Sequence, residues 1–432
     1  MKIALVALGK IGLPLAVQFA KKGHHVIGCD VNQNTVDLVN AASEPFPGEA
    51  HLAEYLTDVV GSGHLRATTD TTSAVAEADA VVVVVPLFVD NDGVPDFGWM
   101  DAATEKIAAG LKPGTLVSYE TTLPVGTTRN RFAPAIEKIS GLRAGVDFDL
   151  VFSPERVLTG RVFADLRKYP KLVGGINEKS TKAGIDFYQA VLDFDDRPDL
   201  TQPNGVWDLL TCEASEMAKL AETTYRDVNI ALANQFALFA QGANIDIAKV
   251  IAASNSQPFS HIHQPGIAVG GHCIPIYPRF YLWNDPEATV VRAARAANAG
   301  MPEHAVAMLE NELGSLKGTT VAVLGISYRG GVKESAFSGV FPTVAAAKAL
   351  GADVVVHDPM YTDEEITKLG FTPYKIGGKV DGVILQADHA EYKKLAAQDF
   401  PGVKALVDGR RTLDKSKFNG VAFRVIGAPA DR

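Results

Sequence analysis

Two stretches of this chain follow one pattern: an apolar run of strand length, a glycine turn, a helical stretch, and a second apolar run closed by an aspartate. In the first, Ile3 to Leu8 reads as a buried strand, Gly9 to Gly12 as the turn, Leu15 to Lys22 as a helix, and Val26 to Cys29 as a strand ending at Asp30. In the second, Thr320 to Leu324 leads to Gly325, a helix through Ala345 to Leu350, and Val354 to Val356 ending in Asp358. Each is a βαβ opening. A chain that begins two such units commits to parallel sheets covered by helices.

Further strands at Ala80 to Val85, Thr115 to Tyr119 and Leu150 to Phe152 alternate with helical segments, extending the first sheet to about residue 200. Gly382 to Leu385, Lys404 to Val407 and Ala422 to Ile426 complete the second. The expected fold is α/β: two Rossmann-like doubly wound parallel-sheet domains joined by a long central helix and a helical middle domain. The expected boundaries are 1–200, 201–312 and 313–432. Thr211 to Gln241 has a helical pattern free of proline and glycine until Gly242, longer than a domain needs internally. Its apolar surface exceeds what one sheet covers, so a homodimer interface and an intramolecular linker both remain open. Ser254 to Pro278, rich in Gly, Pro, His and Ser, reads as loop.

A composition of 47% hydrophobic and 21% charged residues excludes disordered and fibrous classes. With 41 basic and 50 acidic residues, a net charge of -9 and no charged block, nucleic acid is not an expected partner. Cys29, Cys212 and Cys273 are scattered singly, which argues against a disulfide framework or a structural zinc site and fits a reducing cytoplasm. No signal-peptide pattern precedes Ile3, and the longest apolar stretch, Ala80 to Val89, is too short to span a bilayer, so no membrane association is expected.

The first turn, Ala7-Leu8-Gly9-Lys10-Ile11-Gly12, is G-x-G-x-x-G with alanine in its first place. Gly9 lets the backbone approach a pyrophosphate, the following helix start offers N–H groups and positive dipole, and Gly12 permits close helix–strand packing. Asp30 closes the next strand at about the 20-residue spacing of a ribose-binding acid. An acid there repels the 2'-phosphate of NADP, so NAD is the expected cofactor, bound by Gly9, Lys10, Ile11, Gly12 and Asp30. Pro86 and Thr122, beyond strand ends, would border it. Otherwise the glycines merely permit packing.

Cys273 lies in Pro265-Gly266-Ile267-Ala268-Val269-Gly270-Gly271-His272-Cys273-Ile274-Pro275, where adjacent glycines bring bare backbone N–H groups beside a sulfur. A nucleophilic cysteine needs access and donors for a developing oxyanion, whereas a packed one needs neither. Cys29 and Cys212 read as structural. Glu216, Lys219 and Thr223 share one helix face, either solvated or, through the Lys219 ammonium, stabilising negative charge on a reacting oxygen. His261, His263 and His272 lack matching carboxylate spacing, so no metal site is expected.

These motifs taken together resemble the UDP-glucose and UDP-N-acetylmannosamine dehydrogenase family. They are the opening turn, the loop from Glu120 to Thr128, Ser153-Pro154-Glu155-Arg156-Val157, the helix with Lys219 and Arg226-Asp227-Val228-Asn229, the Gly270-to-Pro275 loop, and Gly325-Ile326-Ser327-Tyr328-Arg329. The resemblance implies four-electron oxidation of a nucleotide-sugar C6 alcohol to a carboxylate with two NAD. Cys273 would pass through a thiohemiacetal and a thioester, Lys219 would hold the oxyanion, Glu155 would activate water, and Thr122 would order a water. Glu155, Arg156, Val157, Lys219, Gly270, Gly271, Tyr328 and Arg329 would meet a nucleotide-diphosphate sugar, UDP-linked in this family, and the assembly would be a homodimer. The Cys273 and Asn229 motifs look closer to members acting on N-acetylated hexosamines.

Three positions depart from the family pattern. The fourth residue after the cysteine, normally aspartate, is Tyr277, and the fourth after the helix lysine, normally asparagine, is Thr223. Tyrosine is a poor base near neutral pH unless a cation lowers its pKa of ~10. Lys333-Glu334-Ser335 stands where arginine-glutamate-serine is expected, keeping the charge without the planar fork. Tyr277 and Thr223 therefore either substitute in the full oxidation or mark an enzyme that stops at the aldehyde or accepts a different sugar position. A catalytically weak nucleotide-sugar-binding paralogue is the third reading.

Overall fold

The computed structural model describes residues 1–90 and 93–430. Its strands are, in chain order, Lys2–Val6 (β1), His25–Cys29 (β2), Leu65–Thr68 (β3), Ala80–Val83 (β4), Phe88–Val89 (β5), Pro95–Asp96 (β6), Leu116–Tyr119 (β7), Asp149–Phe152 (β8), Lys171–Gly175 (β9) and Val206–Thr211 (β10). Those of the second half are Thr320–Leu324 (β11), Asp353–His357 (β12), Thr372–Pro373 (β13), Gly382–Leu385 (β14), Ala405–Asp408 (β15) and Ala422–Val425 (β16). Chain contacts divide the molecule into Met1–Ala221 and Glu222–Arg432.

In the first unit, eight strands form a sheet in the order β10-β9-β8-β7-β4-β1-β2-β3, while β5 and β6 make a separate antiparallel hairpin. β1 pairs in parallel with both β2, Val6 opposite Cys29, and β4, Val6 opposite Val83. The order reverses at β1/β4, and a crevice at such a switch point, outside the carboxyl ends of the strands, is where ligands bind in doubly wound sheets. The expected mostly parallel sheet is present, with one antiparallel step: β9 runs against β8, Val151 opposite Gly175. Ile3, Leu5, Val17, Phe19, Leu56 and Phe187 bury one layer of helices against it. At about 1.5–3 kcal/mol per large apolar side chain, this burial dominates the stability of the layer.

The second unit carries six parallel strands in the order β13-β12-β11-β14-β15-β16. Its core joins Val321, Val323 and Ile384 to Leu309 and Val344 from the covering helices. Helices Ile247–Ser254, Tyr277–Asn284, Thr289–Ala299 and Met301–Leu313 precede this sheet and form the helical middle. The long helix spans Cys212–Gly242, 31 residues or about 46 Å. The loop expected over Ser254 to Pro278 ends earlier than its composition suggests. Tyr277 and Pro278 open a helix, because a proline in the first turn has no N–H to leave unsatisfied.

Both units turn out of their first strand in the same way. Ala7 donates its N–H to the Cys29 carbonyl at 2.8 Å, and Gly325 to that of His357 at 2.7 Å. Both residues have positive φ, 79° and 104°. Ala7 thus holds at a cost of about 1 kcal/mol a conformation that Gly325 adopts freely.

Candidate active site

At the β1 turn a Cβ on Gly9 would meet no atom within 4 Å, whereas one on Gly12 would lie 1.9 Å from the Ala7 carbonyl oxygen. Gly12 is therefore required by packing, and Gly9 borders open space. The helix that follows, Gly12–Lys21, has no side-chain N-cap hydrogen bond. Asp30 is half-buried and accepts the Leu8 N–H at 2.8 Å and the Asn32 N–H at 2.9 Å. Lys10 is exposed and Ile11 half-buried. An open glycine, an uncapped helix start and an acid at the neighbouring strand end fit a dinucleotide: room for a pyrophosphate, donors for it and an acceptor for ribose.

The equivalent turn of the second unit is closed. A Cβ on Gly325 would lie 2.4 Å from that of Ala387. Asp358, 2% exposed, takes the N–H groups of Ile326 and Ser327 at 2.7 and 3.0 Å and lies 3.1 Å from the His389 ring Nε2. Burial disfavours its charge, but His389 and the backbone donors prevail and hold its carboxyl below the usual range. One pattern gives an open turn in the first unit and a packed corner in the second.

Beyond the ends of β4, β7 and β8 the first unit gathers its other expected residues. Pro86 is exposed and Thr122 buried. Thr121 donates its hydroxyl to the Val85 carbonyl at 2.7 Å, fixing the loop between them. Glu155 Oε1 accepts the Arg156 and Val157 N–H groups at 2.6 and 3.2 Å, and the Arg156 guanidinium reaches the Pro170 carbonyl at 3.3 Å. Lys171 Nζ donates to Glu155 Oε2 at 2.9 Å and to Glu120 Oε2 at 2.7 Å, and the Tyr188 hydroxyl donates to Glu120 Oε1 at 2.7 Å. Burial opposes ionisation of Glu155, yet the charge of Lys171, its hydrogen bond, the Arg156 N–H and the field of Lys219 together hold it below the usual carboxylate range. Glu120 has no such excess of donors, and burial pushes it up to about 7.

The face carrying Glu216, Lys219 and Thr223 is buried, at 0, 7 and 4% exposure, not solvated. Glu216 accepts the Gly126 N–H at 2.5 Å and the Thr128 N–H and hydroxyl at 2.9 and 2.7 Å. It thereby fastens the loop that carries Thr122 to the helix that carries Lys219.

In the second unit, Cys273 is half-exposed, whereas Cys29 and Cys212 are buried. Burial pushes the Cys29 thiol up to about 12 and that of Cys212 higher still, so both stay protonated, as befits structural thiols. The Cys273 carbonyl accepts the N–H groups of Ile276 and Tyr277, at 3.2 and 2.9 Å, which sets the sulfur-bearing residue on the turn before helix Tyr277–Asn284. The Tyr277 ring stacks near Phe280, centroids 5.8 Å apart.

The cysteine loop lies against the Tyr328 loop. A Cβ on Gly270 would meet Tyr328 Cβ at 2.6 Å, and one on Gly271 would meet the Tyr328 ring at 3.1 Å, so both glycines have a packing reason besides any donor role. Arg329 is exposed, its Nε 3.2 Å from the Tyr328 hydroxyl. Arg410 ties the loops together by donating to the carbonyls of Gln386 at 2.9 Å, Ala268 at 3.1 Å and Tyr328 at 3.3 Å. Asn234 accepts the Gly266 N–H at 2.9 Å and is itself held by Asn298, which bonds Asp227, the partner of Arg295. His272 pairs with Glu334 at 3.4 Å, and Lys333 with Glu365. Among the described residues no group of three or more His, Cys, Asp or Glu could hold a metal.

Sequence reasoning assigned no role to Glu120, Lys171, Tyr188 or Arg410. The available signals were an acid at the end of the apolar run Leu116–Tyr119 and a lysine opening Leu172–Gly175, neither decisive alone.

Three models of one family match this chain: the UDP-glucose/GDP-mannose dehydrogenase family NAD binding domain over residues 1–192, its central domain over 213–300, and its UDP binding domain over 322–415. The UDP-N-acetyl-D-mannosamine dehydrogenase of Pyrococcus horikoshii is 32% identical over 442 aligned positions, covering 99% of each chain. The solved structure of a UDP-D-ManNAc dehydrogenase from the same organism superposes with a TM-score of 0.87 at 30% identity over 99% of both chains. A UDP-glucose dehydrogenase from Pyrobaculum islandicum gives 0.86 at 26% identity, over 99% of this chain and 98% of that one. The chain belongs to the UDP-glucose/GDP-mannose dehydrogenase family. It is an NAD-dependent nucleotide-sugar dehydrogenase, with NAD as its cofactor and a UDP-binding domain for its substrate.

Proposed function

We propose that this enzyme oxidises the C6 alcohol of a UDP-linked N-acetylhexosamine to the carboxylate in two successive two-electron steps, with Cys273 as covalent catalyst. The observation that carries the reading is the contrast among its thiols: Cys29 and Cys212 are buried and held protonated, and Cys273 is accessible on a loop of bare backbone beside Tyr328. Relatives acting on UDP-N-acetyl-D-mannosamine support the choice of sugar.

NAD, held by Gly9, Lys10, Ile11, Gly12 and Asp30 and bordered by Pro86 and Thr122, supplies the acceptor for one hydride in each step. The Cys273 thiolate adds to the C6 aldehyde, and the oxygen takes a proton to give a thiohemiacetal. Loss of hydride and a proton leaves a thioester, and water then cleaves the C–S bond to release the carboxylic acid and regenerate the thiol. Covalent capture keeps a diffusible aldehyde in place for the second oxidation. Lys219 stabilises the oxyanion, Glu155 takes the proton of the attacking water, Thr122 orders a water, and Tyr277 and Thr223 take the places of the family's aspartate and asparagine. Tyr328 and Arg329 hold the diphosphate, while Arg156, Val157, Gly270 and Gly271 contact the rest of the sugar nucleotide.

We assign residues 1–200 to NAD, 313–432 to the sugar nucleotide, and 201–312 to the joining segment. Along the long helix Tyr225, Leu232, Phe236 and Phe239 are exposed, which supports a homodimer formed with a second copy through this helix. No helix among the described residues is long and apolar enough to cross a membrane. With three free cysteines, a cytoplasmic enzyme is the setting we favour.

Counting NADH formed per UDP-N-acetylmannosamine consumed tests the reaction. Two are expected; one would establish an enzyme that stops at the aldehyde, the reading favoured by tyrosine at position 277, and none would leave a binding protein.

A further inference from the structure

Behind Glu155 stands a buried chain of polar side chains to which the proposed chemistry assigns no part. Lys171, 4% exposed at the start of β9, bridges Glu155 and Glu120. Tyr188, on helix Glu178–Val191, bonds the far oxygen of Glu120 and lies 2.6 Å from the Ser118 hydroxyl. Such a cluster is a poor device for stability, because desolvating charges offsets most of what their pairing returns. Its geometry instead serves one member. The side chains of Glu120 and Lys171 are 0 and 4% exposed, whereas that of Glu155 is 11% exposed, with one oxygen on backbone donors and the other on Lys171.

We propose that Lys171 is a positioning residue that holds Glu155 ionised and fixed in orientation, with Glu120 and Tyr188 holding Lys171 in turn. This rests on the reading of Glu155 as the group that activates water. The charged groups facing Glu155 are Lys171 from β9, Glu120 from the end of β7 and Lys219 from the long helix. Arg156 beside it is turned to the Pro170 carbonyl, and Asp165 nearby is paired with Arg161. Of the two carboxylates on Lys171, burial raises Glu120, whereas Glu155, which also takes the Arg156 and Val157 N–H groups, is held low.

Without the ammonium, a buried carboxylate ionises at higher pH, so the acidic limb of the kcat–pH profile in K171M should move up by about 1–3 units. K171Q removes the charge but keeps a hydrogen-bond donor, so it carries the same test if K171M does not fold. K171R, which restores the charge, should return the limb most of the way. E120Q, a mimic of protonated Glu120, should leave it within about half a unit, far inside the range a lost charge produces. All are assayed as full-length enzyme with NAD and UDP-N-acetylmannosamine, alongside E155Q, which should lose acid formation. An inactive E155Q with an unshifted limb in K171Q would overturn the proposal and leave the role of Glu155 standing. An active E155Q would overturn both.

Discussion

Cys273→Ser is expected to bind NAD and the UDP-sugar at near wild-type affinity while forming acid at least about 1000-fold more slowly. Sulfur does two things that oxygen does poorly: it adds readily to a carbonyl carbon, and it leaves an acyl carbon readily. Cys273 is half-exposed on a turn, so exchanging sulfur for oxygen there should shift stability by no more than about 0.5 kcal/mol. Equilibrium binding with steady-state kinetics separates the two effects. Normal acid production by this variant would remove the covalent step.

Glu216→Ala should be the most destabilising single change on the long helix, costing about 3 kcal/mol or more. It strips the acceptor from three donors at once, the N–H groups of Gly126 and Thr128 and the Thr128 hydroxyl, in a place water does not reach. Urea unfolding should show a lower midpoint at unchanged slope. Burial also raises the Glu216 carboxyl to about 7, from an ordinary 4.5. The native state therefore binds more protons than the unfolded chain between those values, and this group's contribution to stability falls as pH rises through that window. E216Q, which cannot titrate, should lack that part of the slope. A midpoint for E216A within experimental error of wild type would show that the loop does not depend on this clamp.

The β1 turn was legible because its parts are local: a strand, Gly9, Gly12 and Asp30 stand at spacings set by one crossover. The same holds for β11, β14 and the long helix, whose ends fall within a residue of those read from periodicity and composition. What escaped depends on partners distant in sequence. Lys171 meets Glu120 and Glu155 only because β9 runs antiparallel to β8, a reversal with no local signature. β10 escaped too, since its exposed edge carries Asp208 and Leu210 in a weak pattern. Gly270 and Gly271 read as donors beside the sulfur, but the Tyr328 side chain that a Cβ on either would meet lies more than fifty residues on. Ala7 looked like a lost glycine, whereas the backbone keeps the glycine conformation and bears the strain.

The central claim is that the sugar becomes bonded to one sulfur. Turnover of NAD and UDP-N-acetylmannosamine can be quenched in acid, in wild type and in E155Q, and the cysteine-bearing peptides weighed. The account predicts a nucleotide-sugar acyl adduct on the Cys273 peptide, enriched in E155Q, with the Cys29 and Cys212 peptides unmodified. Adduct-free Cys273 in an enzyme actively forming acid, with none accumulating in E155Q, would contradict it.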